Sequence, residues 1–348
     1  MMAPESVHLD RRALLVGGTA GLLTVAGCAS GTGASRSGST AAPGSSTRAP
    51  KSPGPSATLA ESAAPSPSAS PVPAPSRIVW RPDAGDVDPA AKHAAVRVVE
   101  AIGTWDSGGE GLRAAARRVA ALGQPRRLAS LAGTLTGAAD EAVVRVVDAQ
   151  TGGLLSSSAS ILVVCRQWRR TGTGGGHWGG TTVDVRLVLR LGRWQVTELH
   201  PARPGPAARS PSDLQRRVLS SSRIVLPPAA MADVRSGNVH VSVLRAMLAL
   251  SADFRIGVSV VRSGHPTYVF GTGRPSDHPQ GRAFDTFRID GRLVVDPATP
   301  QALVTRFMEA AARAGSYNVG GPYRLSGAGN LFFSDATHHD HVHAGFTS

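Results

Sequence analysis

Hydrophobic residues are spread unevenly along this chain, and their spacing divides it into segments of different kinds. An apolar stretch runs from Ala13 to Gly27 behind Arg11-Arg12. From residue 29 to residue 76 the chain is Ser, Ala, Gly, Pro and Thr with almost nothing to bury. Such a segment cannot offset the entropy of ordering and is expected to lack regular structure. Regular periods begin after Arg77. Ala91, Ala95, Val98, Ile102 and Trp105 recur at alternating four- and three-residue spacing behind Asp88-Pro89. This predicts an amphipathic helix with Asp88 as its cap and Pro89 in its first position. A second helix is predicted over 111–122. Strand patterns follow over 141–147, 160–168 and 181–191, the last with Val183, Val185, Leu187, Leu189 and Leu191 on one face. Gly192-Arg193 then turns the chain into a strand over 194–199.

Residues 204–225 read as a linker, richest in Pro, Ser and Arg over 204–212. Beyond it a helix is predicted over 241–250, a buried strand over 256–261 and another strand over 283–289. Asp290-Gly291 signals a hairpin into 292–295. Thr299 and Pro300 open a helix whose apolar face is Leu303, Phe307, Ala310, Ala311 and Ala314, and Gly315 ends it. A short strand over 341–346 closes the chain. Both halves mix helices with antiparallel strands, so the fold class is α+β in two domains, an accessory one over 77–203 and a second over 226–348. The segment Leu191-Gly-Arg-Trp-Gln-Val-Thr-Glu-Leu199 is similar to the last hairpin of nuclear-transport-factor-2-like domains. No catalytic constellation stands out in the accessory domain, which reads as a spacer or binding module.

The formal net charge is +13, supplied almost wholly by Arg, since Lys51 and Lys92 are the only lysines. No run of Arg interleaved with aromatics marks a nucleic-acid face, so no nucleic-acid partner is expected. Scattered Arg suits a protein working near an anionic polymer or membrane surface. Cys165 lies inside the apolar run Ile161-Leu162-Val163-Val164 and reads as a buried small hydrophobe. Cys28 follows Val25-Ala26-Gly27 at the end of the apolar stretch. Residues 1–28 thus have the basic, apolar and small-residue regions of a signal peptide. The tripeptide before Cys28 resembles a bacterial lipobox, which implies a lipidated Cys28 and an exported, membrane-anchored lipoprotein; an ordinary secretory cut near Ala29 is the alternative. Arg11-Arg12-Ala13-Leu14-Leu15 resembles a twin-arginine signal with Asp10 in place of Ser or Thr, so both export routes stay open. Residues 29–76 would then form a tether of about 40 Å.

Two segments carry chemistry: Ser276-Asp277-His278-Pro279-Gln280-Gly281-Arg282-Ala283-Phe284-Asp285, and His338-His339-Asp340-His341-Val342-His343. A hydrolytic zinc needs three His or carboxylate ligands and an open fourth position. His278 and Asp285 supply an imidazole and a carboxylate, and His341 and His343, two apart on a strand, share one face. A carboxylate beside the third ligand would be the base.

The spacing Ser276-x-His278-x-x-Gly281-x-Ala283-x-Asp285, followed by His341-x-His343, resembles the D-Ala-D-Ala metallopeptidases over residues 226–346. These include vancomycin-resistance dipeptidases and carboxypeptidases, phage endolysin peptidases, penicillin-insensitive murein endopeptidases and the hedgehog signalling domain. The resemblance implies zinc ligands His278, Asp285 and His343. The family's base, commonly a Glu three residues before the last ligand, falls on Asp340; the murein endopeptidases' histidine five residues before it falls on His338. His341 would bind substrate or stabilise an oxyanion, and Arg262 would pair with substrate. His265 has no implied role and reads as structural. The implied activity is cleavage of peptidoglycan stem peptides or cross-links by a zinc peptidase. A non-catalytic, zinc-containing wall-binding lipoprotein is the alternative, as in hedgehog domains. No His-Glu-x-x-His helix motif is present.

Overall fold

In a computed structural model of the chain, residues 73–347 are described. The stretch read as a signal peptide, with Cys28, and residues 29–72 of the stretch read as a tether lie outside the described residues.

Asp88 caps α1 (Pro89–Gly103) by accepting from the Ala91 N–H at 2.9 Å. Helices α2 (Gly111–Ala121) and α3 (Leu128–Leu131) follow. The chain then forms an antiparallel meander of β1 (Glu141–Leu154), β2 (Ser158–Arg170), β3 (His177–Arg190) and β4 (Arg193–Pro201), in that spatial order. One face of this sheet packs Ile161, Val163, Cys165, Val183 and Val185 under α1. The other face packs Leu162 and Val164 against Val260 of the second sheet. Coverage on both sides explains why β2 is an unbroken apolar run. The β3–β4 turn sits one residue earlier than expected, on Leu191 (φ 48°) and Gly192 (φ 72°), two left-handed residues as a two-residue hairpin turn requires. The buried face of β3 therefore stops at Leu187, and Leu189 (38% exposed) and Leu191 (104%) reach solvent.

The stretch read as a linker is partly structured. Ser212 and Gln215 form a capping box that opens α4 (Asp213–Ser220), and β5 (Ile224–Val225) follows. After α5 (Pro228–Ser236) and α6 (Val241–Asp253) come β6 (Ile256–Val260), β7 (Ala283–Ile289) and β8 (Arg292–Leu293). Asp290 (φ 50°) and Gly291 (φ 84°) make the expected turn between β7 and β8. Helix α7 (Gln301–Arg313) starts behind Pro300 rather than on a Thr299 cap, because the Thr299 hydroxyl donates to Leu293 O at 2.6 Å. The last strands are β9 (Asn318–Gly320), β10 (Phe332–Phe333) and β11 (Val342–Gly345). The second sheet runs β10-β9-β11-β7-β6-β5 with β8 beside β7. Its core is built on Met247, Phe254, Phe284, Phe307 and Phe346, with Phe254 edge-on to Phe307 at 5.2 Å.

The molecule is thus mixed α+β, and all described residues belong to one compact unit that carries two sheets and two cores. Among the described residues no helix is long and apolar enough to cross a membrane.

Candidate metal centre

Strand register builds the site. β7 and β11 are antiparallel neighbours with Asp285 opposite His343, so a carboxylate and an imidazole leave adjacent strands side by side. His278 arrives from the turn before β7. That turn passes so close to the 238–239 backbone that a Cβ on Gly281 (φ 71°) would lie 2.1 Å from Asn238 O. His278 Nδ1 donates to Val261 O at 2.9 Å, which fixes the ring.

His278 Nε2 lies 3.1 Å from Asp285 Oδ1 and 3.1 Å from His343 Nδ1, and His343 Nδ1 lies 2.9 Å from Asp285 Oδ1. A tetrahedral cation with bonds of about 2.0–2.1 Å has ligand atoms about 3.3 Å apart, so slight outward adjustment seats one. The donor chemistry agrees. With its proton on Nδ1, His278 turns an Nε2 lone pair toward a carboxylate oxygen, an arrangement that a cation between them satisfies. All three side chains are shielded: His278 and Asp285 are 0% exposed and His343 8%. Burial pushes His343 down to about 4, so it is a neutral imidazole, the form that binds metal. A second, looser grouping shares two of these residues: His265, His278 and Asp285 offer ligand atoms within 4.8 Å of one another. A His-His-Asp group at this place can hold a metal ion. The triangle of His278, Asp285 and His343 is tighter, and all three of its separations approach the tetrahedral edge.

The first sheet, read from the sequence as a spacer or binding module, supplies part of the surroundings. Gln150 on β1 donates from Nε2 to Asp285 Oδ2 at 2.6 Å, and its Oε1 accepts from the Ser259 hydroxyl. Asp285 is therefore held by Gln150 on one oxygen and offers the other to the triangle. Thr151 gives both its backbone N–H and its hydroxyl to Asp340 Oδ2, each at 2.8 Å. Lys92 of α1 reaches the same oxygen at 2.6 Å and also pairs with Asp86. Burial opposes the charge on Lys92, but Asp340, Asp86 and Asp148 outweigh it and hold the amine protonated above its usual range.

Asp340 is thus fully committed. Its Oδ1 is 2.6 Å from His341 Nδ1, and its Oδ2 is taken by Thr151 and Lys92. Burial alone would raise its affinity for a proton, yet Lys92 and His341 hold it well below the usual carboxylate range. Asp340 is the residue expected to accept a proton; its two oxygens are held by Thr151, Lys92 and His341. His341 Nε2 points toward the triangle, 3.8 Å from Asp285 Oδ1. Burial would lower its basicity, but Asp285 and Asp340 raise it above the usual imidazole range.

His338 stands nearby, its ring 5.2 Å from that of His341 and 5.6 Å from that of His343, with Nδ1 held by Asp335 at 2.7 Å. Arg262 is not brought to the triangle. Its backbone N–H goes to Asp233 at 3.1 Å and its guanidinium reaches Pro204 O at 3.5 Å. It borders instead a cleft of about 860 Å³, walled also by Arg127, Arg203 and His265. None of the triangle's residues lines that cleft; His265 lies between the two, stacked on His278 with ring centroids 4.0 Å apart. Cys165 is buried as expected, its Sγ on Thr181 O at 3.3 Å, and burial pushes the thiol up to about 12.

Lys92, Asp148, Gln150 and Thr151 escaped the sequence reading. One signal was present: Lys92 sits three, four and seven residues before Ala95, Val96 and Val99, on the buried face of α1. A lysine there needs a buried partner. Comparison with family models, curated proteins and solved structures finds no match.

Proposed function

We propose that this protein is a zinc-dependent peptidase acting on peptidoglycan stem peptides or cross-links at the cell envelope. One observation carries the reading: two imidazole nitrogens and a carboxylate oxygen from separate stretches of chain meet at mutual distances of 2.9–3.1 Å. Nitrogen and oxygen donors in a tetrahedral disposition suit zinc. When bound, the ion supplies Lewis acidity at this corner of the site. The chain's own residues do the rest. Asp340, kept ionised by Lys92 and Thr151, holds the His341 proton on Nδ1, so that His341 in its neutral form offers the Nε2 lone pair. His341 Nε2 takes the proton of the attacking water and returns it to the leaving amine. His338, held by Asp335, stands on the same side for contact with the developing oxyanion. Arg262, with Arg127 and Arg203, gives the neighbouring cleft a positive lining suited to peptide carboxylates.

The sequence reading of a leader ending at Cys28 and a tether after it supports a lipid-anchored location outside the cytoplasm. The test is incubation of the chain, loaded with zinc, with muropeptides. Mass spectrometry should find a cut at a D-amino-acid bond; metal bound with no product rejects the enzyme. The burial of the triangle favours a second reading, a zinc-containing wall-binding lipoprotein without turnover. Binding of the same peptides without cleavage would select it.

A further inference from the structure

We propose that Arg145, Arg166 and Trp178 form a binding site for the phosphate groups of an anionic polymer, at the end of the first sheet that the second sheet leaves open. The inference does not depend on the metal centre or on the peptidase reading. Arg145 on β1 and Arg166 on β2 are directly opposite partners in the antiparallel register. Side chains so paired leave the same face, where two like charges repel each other. Nothing in the fold offsets them. Glu141, on the same face of β1, is taken by Arg170, and among the described residues neither Arg145 nor Arg166 has an acidic partner. Both guanidiniums lie over the Trp178 ring of β3, with Cζ 5.2 and 4.8 Å from its centroid. Stacking on one indole holds two long side chains in place and leaves their edge N–H groups to donate.

The site lies where cover stops. Leu162 and Val164, on this face of β2, pack against Val260, but Arg166 two residues on is exposed. Gly180 stands opposite Arg166, so β3 sets no side chain beside it. Arg145 Nη2 donates to Ser76 O at 3.3 Å, while its Nε is buried without a partner. A guanidinium recognises phosphate through paired N–H donors. A planar carboxylate matches one such fork, whereas a tetrahedral phosphate offers oxygens in more than one plane and can be shared by two. A bilayer surface fits less well, because docking there buries an apolar face. The one exposed apolar ring here, Trp178 at 36%, carries the two guanidiniums.

The test is calorimetric titration of the full chain with poly(glycerol phosphate) over a range of salt concentrations, for the parent, Arg166→Gln and Arg145→Gln. Far-UV circular dichroism checks folding. Each variant should bind about tenfold more weakly, the loss expected for a charge-assisted hydrogen bond. The slope of log affinity against log salt should fall by about one for each phosphate contact removed. A folded Arg166→Gln with the parent's affinity and slope would overturn the proposal. Equal affinity of the parent for polyglutamate would overturn the choice of phosphate. A loss seen on phosphatidylglycerol vesicles but not on the polymer would overturn the choice of polymer.

Discussion

Asp148 shows how much a single carboxylate near this site costs. It lies two residues before Gln150 on β1, half-buried and close to Lys92, Asp340 and His341. Burial pushes its carboxyl up to about 7, although Lys92 pulls the other way. Between its ordinary value of 3.8 and about 7 the folded protein keeps a proton that the unfolded chain has released. Stability must therefore fall as pH rises through that window; below it the penalty is absent, and above it fully present. Asp148→Asn should stabilise the chain at pH 8 by roughly 1–3 kcal/mol, discounted from about 1.4 kcal/mol per tenfold change in proton affinity for partial solvent contact. At pH 4 it should change little. Urea unfolding at the two pH values decides the matter. An equal gain at both would trace the effect to packing rather than ionisation.

Strand β1 is the element that brings the first sheet's polar side chains to the candidate site. It is an edge strand of the first sheet, and an unpaired edge is a liability unless something covers it. Here Trp105 bridges to Ala142 and Asp340 accepts the Thr151 N–H, and the strand's register is shifted as well. The partners step from Val146–Cys165 to Asp148–Val164, leaving Val147 as an extra residue. The bulge re-aims the strand so that Ala149 enters the core under α1 while Gln150 reaches Asp285. In the sequence the apolar alternation stops at Val147, and a strand over 141–147 was all that pattern could predict. Residues Asp148 to Thr151 continue the strand by pairing with β2, and the polar Gln150 and Thr151 are met by Asp285 and Asp340, 135 and 189 residues away. Periodicity records burial against neighbours in an element, and says nothing of a hydrogen bond to another sheet. The triangle itself was legible, since its residues are spaced by local geometry: a turn into one strand, and alternation on its neighbour. Gln150→Ala leaves Asp285 Oδ2 and the Ser259 hydroxyl without their partner. It should weaken zinc binding about 10–100-fold with secondary structure unchanged. Parent-like affinity in a competition titration would show that Asp285 needs no support from β1.

At the scale of the whole molecule, the question is whether residues 226–348, which hold both chemistry-bearing segments of the sequence, suffice for the site. The contacts argue that they do not. Cutting there removes Lys92 and Thr151 from Asp340, Gln150 from Asp285, and Leu162 and Val164 from Val260. Breaking a buried ion pair by removing one partner costs about 3–5 kcal/mol, because the other charge stays behind without compensation. Losing the apolar contact at Val260 adds to that, against a total stability of roughly 5–15 kcal/mol for a typical domain. These losses are comparable with everything available. They also fall on the one carboxylate that orients His341 and the one that completes the triangle. The isolated segment 226–348 is therefore expected to show no cooperative thermal transition and zinc affinity reduced more than about 100-fold relative to the full chain, since each lost support alone accounts for tenfold or more. Calorimetry and metal titration of the two polypeptides side by side provide the comparison. A segment that melts sharply and keeps the parent's affinity would mean that the first sheet merely shelters a self-sufficient centre. The buried Lys92–Asp340 pair would then need another explanation.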